Sequence, residues 1–222
     1  MGVSRVDTLA SQAYQGIRLA ILHAQLMPDA FYSENSVAHM LGISRTPARE
    51  ALRQLEAEGL IEVLPQRGFR VRRISPAELV ELNSLRELLE TYVVRTLSEV
   101  IDERAVRLLR HILERQEQAA DDVTEFISLD EEFHLSMARL AGLLRTARIV
   151  ASLRGVLWLM GTRCVDRASR REDVVAEHHA ILAALERRDA RAAEAAVSHH
   201  IRATAEIALA PLAVVNQGHH GL

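Results

Sequence analysis

Four side chains in the second half of the sequence have the types of a metal site. Asp130 and His134 stand four residues apart in FISLDEEFHLSMARL, a segment with helical spacing, so both project from one face, where a carboxylate and an imidazole can share an ion. His178 and His200 follow on two later helical segments, 22 residues apart. If those segments pair antiparallel about Arg188-Asp189, the two imidazoles reach the same depth. One carboxylate and three imidazoles without a thiolate suit a borderline divalent ion: Zn first, then Ni, Mn or Fe, with positions open to water or a carboxylate. Such an ion can activate water, so a helical hydrolase or oxygenase stands beside plain ligand binding. Spacing alone also leaves the plainer reading, in which each residue is simply a packed or exposed helix position. His179 and His199 compete for two of the places.

A second cluster is basic. Between residues 44 and 73 seven Arg face four acids, and Arg45, Thr46 and Arg49 occupy the first turns of a helical segment. Arg at such an end can bond guanine edges or phosphate oxygens in a major groove. Arg67-Gly68 adds a charge beside a bare backbone that can approach a duplex closely. The competing reading is a solvated face in which Arg45, Arg49 and Arg53 pair with Glu50 and Glu56. Whole-chain charge conceals this patch: the formal total is -3, while residues 1 to 75 carry nine Arg against seven acids and the remainder eighteen against twenty-three. All 27 basic residues are Arg, so lysine Schiff-base and P-loop chemistry are excluded. The single cysteine, Cys164, excludes an intrachain disulfide and thiolate-rich clusters. MGVSRVDTLASQAYQG lacks the apolar core of a signal peptide and no apolar run spans a membrane, so the expected location is the cytoplasm.

The elements that must position these residues divide near residue 75. Residues 8 to 24 have helical spacing, Ser33 caps SENSVAHML, Gly42 ends it, and Ser44 starts a helix with Pro47 in its first turn that runs to Gly59. LIEVL (60–64) and FRVRR (69–73), joined by Pro65-Gln66-Arg67-Gly68, read as a hairpin. Helix, turn, helix and hairpin make a winged helix-turn-helix. From SPAEL onward six helical segments follow, about 75–98, 102–120, 122–141, 143–165, 169–187 and 189–209, as an antiparallel bundle. Trp158 and Met160 read as core. The expected class is mainly α, with a DNA-binding domain at 1–74, an all-helical domain at 75–212 and an unstructured tail at 213–222.

The run LGISRTPAREALRQLEAEGLIEVLPQRGFRV resembles the DNA-binding signature of GntR-type bacterial transcription regulators, in which SRTPxREAL is followed by LxxxGL and a PxRG wing. The resemblance implies DNA contacts from Ser44, Arg45, Thr46 and Arg49, from Arg67 and Gly68 in the wing, and from Asn35 at the start of the preceding helix. Asp29 departs from the Gly usual after Pro28, which touches only the shape of that turn. Beyond residue 75, RELLE, FxxxDxxFH, EHxAILxAL and DxxxAxxAxxxHI are similar to the all-helical FCD effector domain of the FadR subfamily. One subset of such domains holds a divalent metal through the positions of Asp130, His134, His178 and His200, and the register EHxAI and HI selects His178 over His179 and His200 over His199. Leu143 stands where relatives commonly have Asn.

The resemblance further implies that Arg86, in RELLE, faces the cavity and pairs with an anionic effector, against the alternative of a surface partner to Glu90. Arg139 and Arg163 are weaker candidates. The reading as a whole is a homodimeric repressor without catalytic residues, bound to double-stranded operator DNA and controlled by a small carboxylate or sugar acid at a metal. Alternatives are a regulator that senses the metal itself, a metal-dependent enzyme, and an adaptor bundle.

Overall fold

The computed structural model describes residues 8–28, 30–157, 159–160, 165 and 167–216, the side chains of Leu157 and 211–216 excepted. Asp29, Trp158, Arg163, Cys164 and 217–222 lie outside the described residues. The chain divides into a unit up to Ile74 that includes Gly155–Gly161, and a unit of Ser75–Arg154 with Thr162 onward.

The first unit builds on α1 (Leu9–Leu22), α2 (Glu34–Met40) and α3 (Arg45–Ala57). Thr8 and Ser33 accept backbone N–H groups at the starts of α1 and α2, and Ser33 and Ser36 form a reciprocal capping box. Ser44 stands at the N-cap of α3 without a side-chain cap bond. Ile17, Val37, Ala48, Leu52 and Leu55 are buried, as the apolar faces of the three segments require. The strands β1 (Ile61–Leu64) and β2 (Gly68–Val71) pair antiparallel, Ile61 opposite Val71 and Leu64 opposite Gly68.

Tyr32 extends this wing inward: its N–H donates to the Phe69 carbonyl at 2.8 Å and its carbonyl accepts the Phe69 N–H at 2.8 Å. That bridge gives Gly68 a second reason to be glycine. Its φ is +95°, and a Cβ built there would sit 2.1 Å from the Tyr32 carbonyl oxygen. Gly68→Ala is therefore expected to break the Tyr32–Phe69 bridge and to cost about 1–3 kcal/mol of stability, read as a lower urea midpoint of the full chain. An unchanged midpoint would show that the wing does not need this close approach.

The second unit contains α4 (Pro76–Val100), α5 (Glu103–Gln118), α6 (Val123–Leu140), most of α7 (Leu144–Leu157), α8 (Ala168–Glu186) and α9 (Ala190–Asn216). Ser75, Asp102 and Asp122 cap α4, α5 and α6 through their side chains. α4 packs on α9, α8 on both α5 and α9, and α6 on both α4 and α5. Leu97, Leu109, Phe133, Ile181, Leu185, Val197 and Ile201 fill the core between them.

Two segments depart from expectation. The helix expected over 143–165 ends at Leu157, because Gly155 and Gly161 weaken helix propensity and residues 155–161 belong to the other unit, with Val156 and Met160 buried there. α9 continues to Asn216, so the first four residues of the expected unstructured tail are helical, since Leu212, Ala213 and two valines add no breaker. Among the described residues, no helix is long and apolar enough to cross a membrane.

Candidate metal centre and nucleic-acid interface

In the first unit α2 and α3 carry the expected contact residues. Asn35, Ser44, Arg45, Thr46, Arg49 and Arg67 are exposed, and Gly68 is half-buried. Arg49 is held: its Nε donates to both Glu34 carboxylate oxygens at 3.1 and 3.0 Å, and its Nη2 donates to Oε2 at 2.8 Å. Arg45 stands 3.8 Å from the same carboxylate. The hydrogen bond from Arg49 holds the Glu34 carboxyl below its ordinary range and raises the guanidinium in turn. Glu34 thus orders the two arginines at the start of α3, an acid that the earlier pairing with Glu50 and Glu56 did not include. A spacing of fifteen residues across a turn gives no local signal for it.

In the second unit α6 brings Asp130 and His134 to one face, α8 supplies His178 and α9 supplies His200. One ligand atom from each lies within 4.8 Å of every other. His134 Nε2 is 3.2 Å from His178 Nε2, and Asp130 Oδ1 is 3.3 Å from the same nitrogen. His134, His178 and His200 are all buried, and Phe133 stacks on His178 at 4.7 Å. His179 and His199 are exposed, which matches the choice between neighbours that the EHxAI and HI register makes.

The fit to an ion can be judged from what the other ring nitrogens do. His178 Nδ1 meets Gln116 Oε1 at 2.8 Å, His200 Nδ1 meets Glu177 Oε2 at 2.7 Å, and His134 Nδ1 faces Glu90 Oε2. Gln116 and Glu177 accept, so His178 and His200 carry the proton on Nδ1 and turn Nε2 lone pairs inward, and the carboxylate in front of His134 Nδ1 favours the same tautomer there. Three inward lone pairs and a carboxylate have no proton to share among them, an arrangement that a cation relieves. The donor set fits a divalent metal ion.

Electrostatics point the same way. Burial, reinforced by His200 beside His178 and by His134 beside His200, holds His178 and His200 well below the usual imidazole range, and burial with Arg154 also lowers His134. Burial pushes Asp130 up, but Arg154 and the three histidines outweigh it and hold the carboxyl low. The sign for stability follows. A histidine depressed in the folded state binds fewer protons there than in the unfolded chain, whose imidazoles titrate near about 6.5. The stability from these rings is thus complete above that value and is lost as pH falls below it. Thermal melts of chelator-treated protein should decline from about pH 6.5 downward, and a Tm that rises between pH 7 and 5.5 would contradict it.

Glu90 organises the acidic side. It is 2% exposed, accepts from Arg86 Nε at 3.0 Å and is reached by Arg154 Nη1 at 3.5 Å, while Arg154 Nη2 bonds Asp130 Oδ2. His134, Arg86 and Arg154 together overcome burial and hold its carboxyl well below the usual range. Arg86 is 1% exposed, with Asn83 Oδ1 as a second acceptor at 3.3 Å. The i, i+4 pair with Glu90 therefore exists, but inside the unit rather than on its surface. Arg139 is exposed at the end of α6. Glu90, Gln116, Arg154, Arg170 and Glu177 were not legible as part of the site, since they meet it through contacts between helices that no local spacing encodes.

Comparison with known proteins agrees with this division. The family profile for bacterial regulatory proteins, gntR family, matches residues 9–71, and that for the FCD domain matches 81–203. An HTH-type transcriptional regulator from an unstable DNA locus of Streptomyces ambofaciens is 37% identical over 86% of this chain and 80% of its own length. The HTH-type transcriptional repressor RspR of Escherichia coli K12 is 29% identical over 88% and 86%. Among solved structures, E. coli McbR/YncC superposes with a TM-score of 0.75 at 23% identity, covering 95% of this chain and 98% of that one, a likeness of fold.

Proposed function

Because the chain belongs to the GntR family of bacterial regulatory proteins and carries an FCD domain, we propose that this DNA-binding transcription regulator is a homodimeric repressor whose grip on its operator is set at the metal centre. It is not an enzyme. Two copies would place α3 and the wing of each first unit on the half-sites of a short palindrome, Arg45, Thr46 and Arg49 toward base edges, Arg67 and Gly68 against the backbone, and Asn35 beside them. The name of the E. coli relative as a repressor supports the sign of regulation.

The observation that carries the regulatory half is the convergence of Asp130, His134, His178 and His200 within 4.8 Å. A divalent ion there, Zn before Ni, Mn or Fe, supplies open coordination positions for the carboxylate of a small acid or sugar acid. The residues around it set the terms of entry. Arg86 and Arg154 are paired with Glu90 and Asp130, so an anion competes with those carboxylates for the two guanidinium charges. An effector that favours one arrangement of the protein over the one that fits the operator then shifts the population away from DNA.

The burial of Arg86 favours one further reading, in which the ion is itself the signal. Gel shifts on the upstream intergenic DNA separate the two. Metal-stripped, Zn-loaded and Zn-loaded protein with added carboxylic acids are compared. Release only when an acid is added supports the effector reading; release on metal loading alone supports metal sensing. Specific binding unmoved by either would remove the proposed regulation.

A further inference from the structure

We propose that Glu177 is a positioning residue of the metal centre, holding His200 so that Nε2 faces the ion; this rests on the metal reading above. Glu177 precedes His178 in the sequence, yet its carboxylate serves the histidine of the next helix: Oε2 accepts from His200 Nδ1 at 2.7 Å. Two further bonds fix that carboxylate. Arg170, seven residues earlier on α8, donates Nη1 to Oε1 at 2.5 Å and Nη2 to Oε2 at 3.1 Å. The same Nη2 donates to Thr204 Oγ1 at 3.0 Å, one turn beyond His200 on α9.

The consequence is directional. A carboxylate gripped at both oxygens cannot swing, so the proton on His200 stays at Nδ1 and the ring cannot turn over without breaking a buried hydrogen bond. Glu177 and Arg170 are both nearly buried, side chains 9% and 8% exposed, so water does not replace either partner cheaply. The three histidines are not backed alike. His178 leans on the neutral amide of Gln116, whose own Nε2 is directed to the Phe126 carbonyl, whereas His200 leans on a carboxylate. A carboxylate behind the ring raises the basicity of the inward nitrogen, which makes His200 the stronger donor of the two.

The test uses the full chain and Zn²⁺ with a chromophoric competitor. Glu177→Ala should weaken Zn²⁺ by about 10- to 100-fold, the usual cost of losing an outer partner of a ligating histidine. Glu177→Gln should fall between, because an amide oxygen can accept as Gln116 does. Ring ¹⁵N spectra of the metal-free wild-type chain should show His200 protonated at Nδ1, a readout that does not depend on any variant folding. Wild-type Zn²⁺ affinity in Glu177→Ala with only a lowered Tm, or an Nε2-protonated His200 in the wild type, overturns the proposal and leaves a structural ion pair. Loss of Zn²⁺ in His134→Ala together with full binding in Glu177→Ala refutes the positioning role alone. A wild-type chain that takes up no Zn²⁺ refutes the metal reading and this inference with it.

Discussion

Arg49→Ala is expected to remove specific operator binding while leaving the fold intact. Arg49 is exposed on the second turn of α3 and its guanidinium bonds Glu34, so its loss costs the first unit little packing. At a base edge a bidentate guanidinium is worth about 1–3 kcal/mol, and two copies on a palindrome would lose about 30-fold to 10⁴-fold in affinity. Glu34 adds to the loss, since without Arg49 its carboxylate keeps only the longer contact to Arg45 at 3.8 Å and presents more negative charge to the phosphates. Titration of a labelled operator at two salt concentrations reads the effect. A uniform drop with a salt slope smaller by about two units, one for each copy, and sequence preference kept would assign Arg49 to a phosphate instead of a base. Undiminished affinity would remove it from the interface.

His134→Ala is expected to abolish the proposed metal binding and effector response and to spare operator binding by the metal-free protein. One of four ligands disappears, a larger change than loss of an outer partner, so the drop in affinity should exceed about 100-fold. The substitution also leaves Glu90 without the ring its carboxylate faces, so the melting temperature falls as well. Elemental analysis of purified protein and a gel shift on the same preparation separate the two outcomes. Full metal content in this variant would show that the four residues are not the site.

Much of this molecule could be read in one dimension because its signals are local. Ser33, Ser75 and Asp102 announce helix starts by side chains that bond backbone three residues on, and the glycines at 42 and 59 end helices with positive φ. The candidate metal cluster was legible only in part: Asp130 and His134 share a helix face, but joining them to His178 and His200 required the family resemblance. The end of α7 was illegible for a different reason. Val156 and Met160 satisfy helical spacing whichever unit buries them, so periodicity carries no information about the change of unit at Gly155. Arg86 shows a third limit. An i, i+4 partner looks the same in sequence at the surface and in the core, and only the helices packed around it decide the difference.

The acceptors behind the three rings bear on how the protein would exchange matter with its solvent. Each imidazole already keeps its one proton on the far nitrogen, and Asp130 is already ionised, so an arriving cation has no proton to displace near neutrality. Uptake at the proposed site would then be an exchange of hydration shell for protein donors, and its expected marks are an affinity that stays level across the neutral range and a heat indifferent to the buffer. Many metal-binding sites are governed by acidity; the proposed one would answer to the supply of the ion instead.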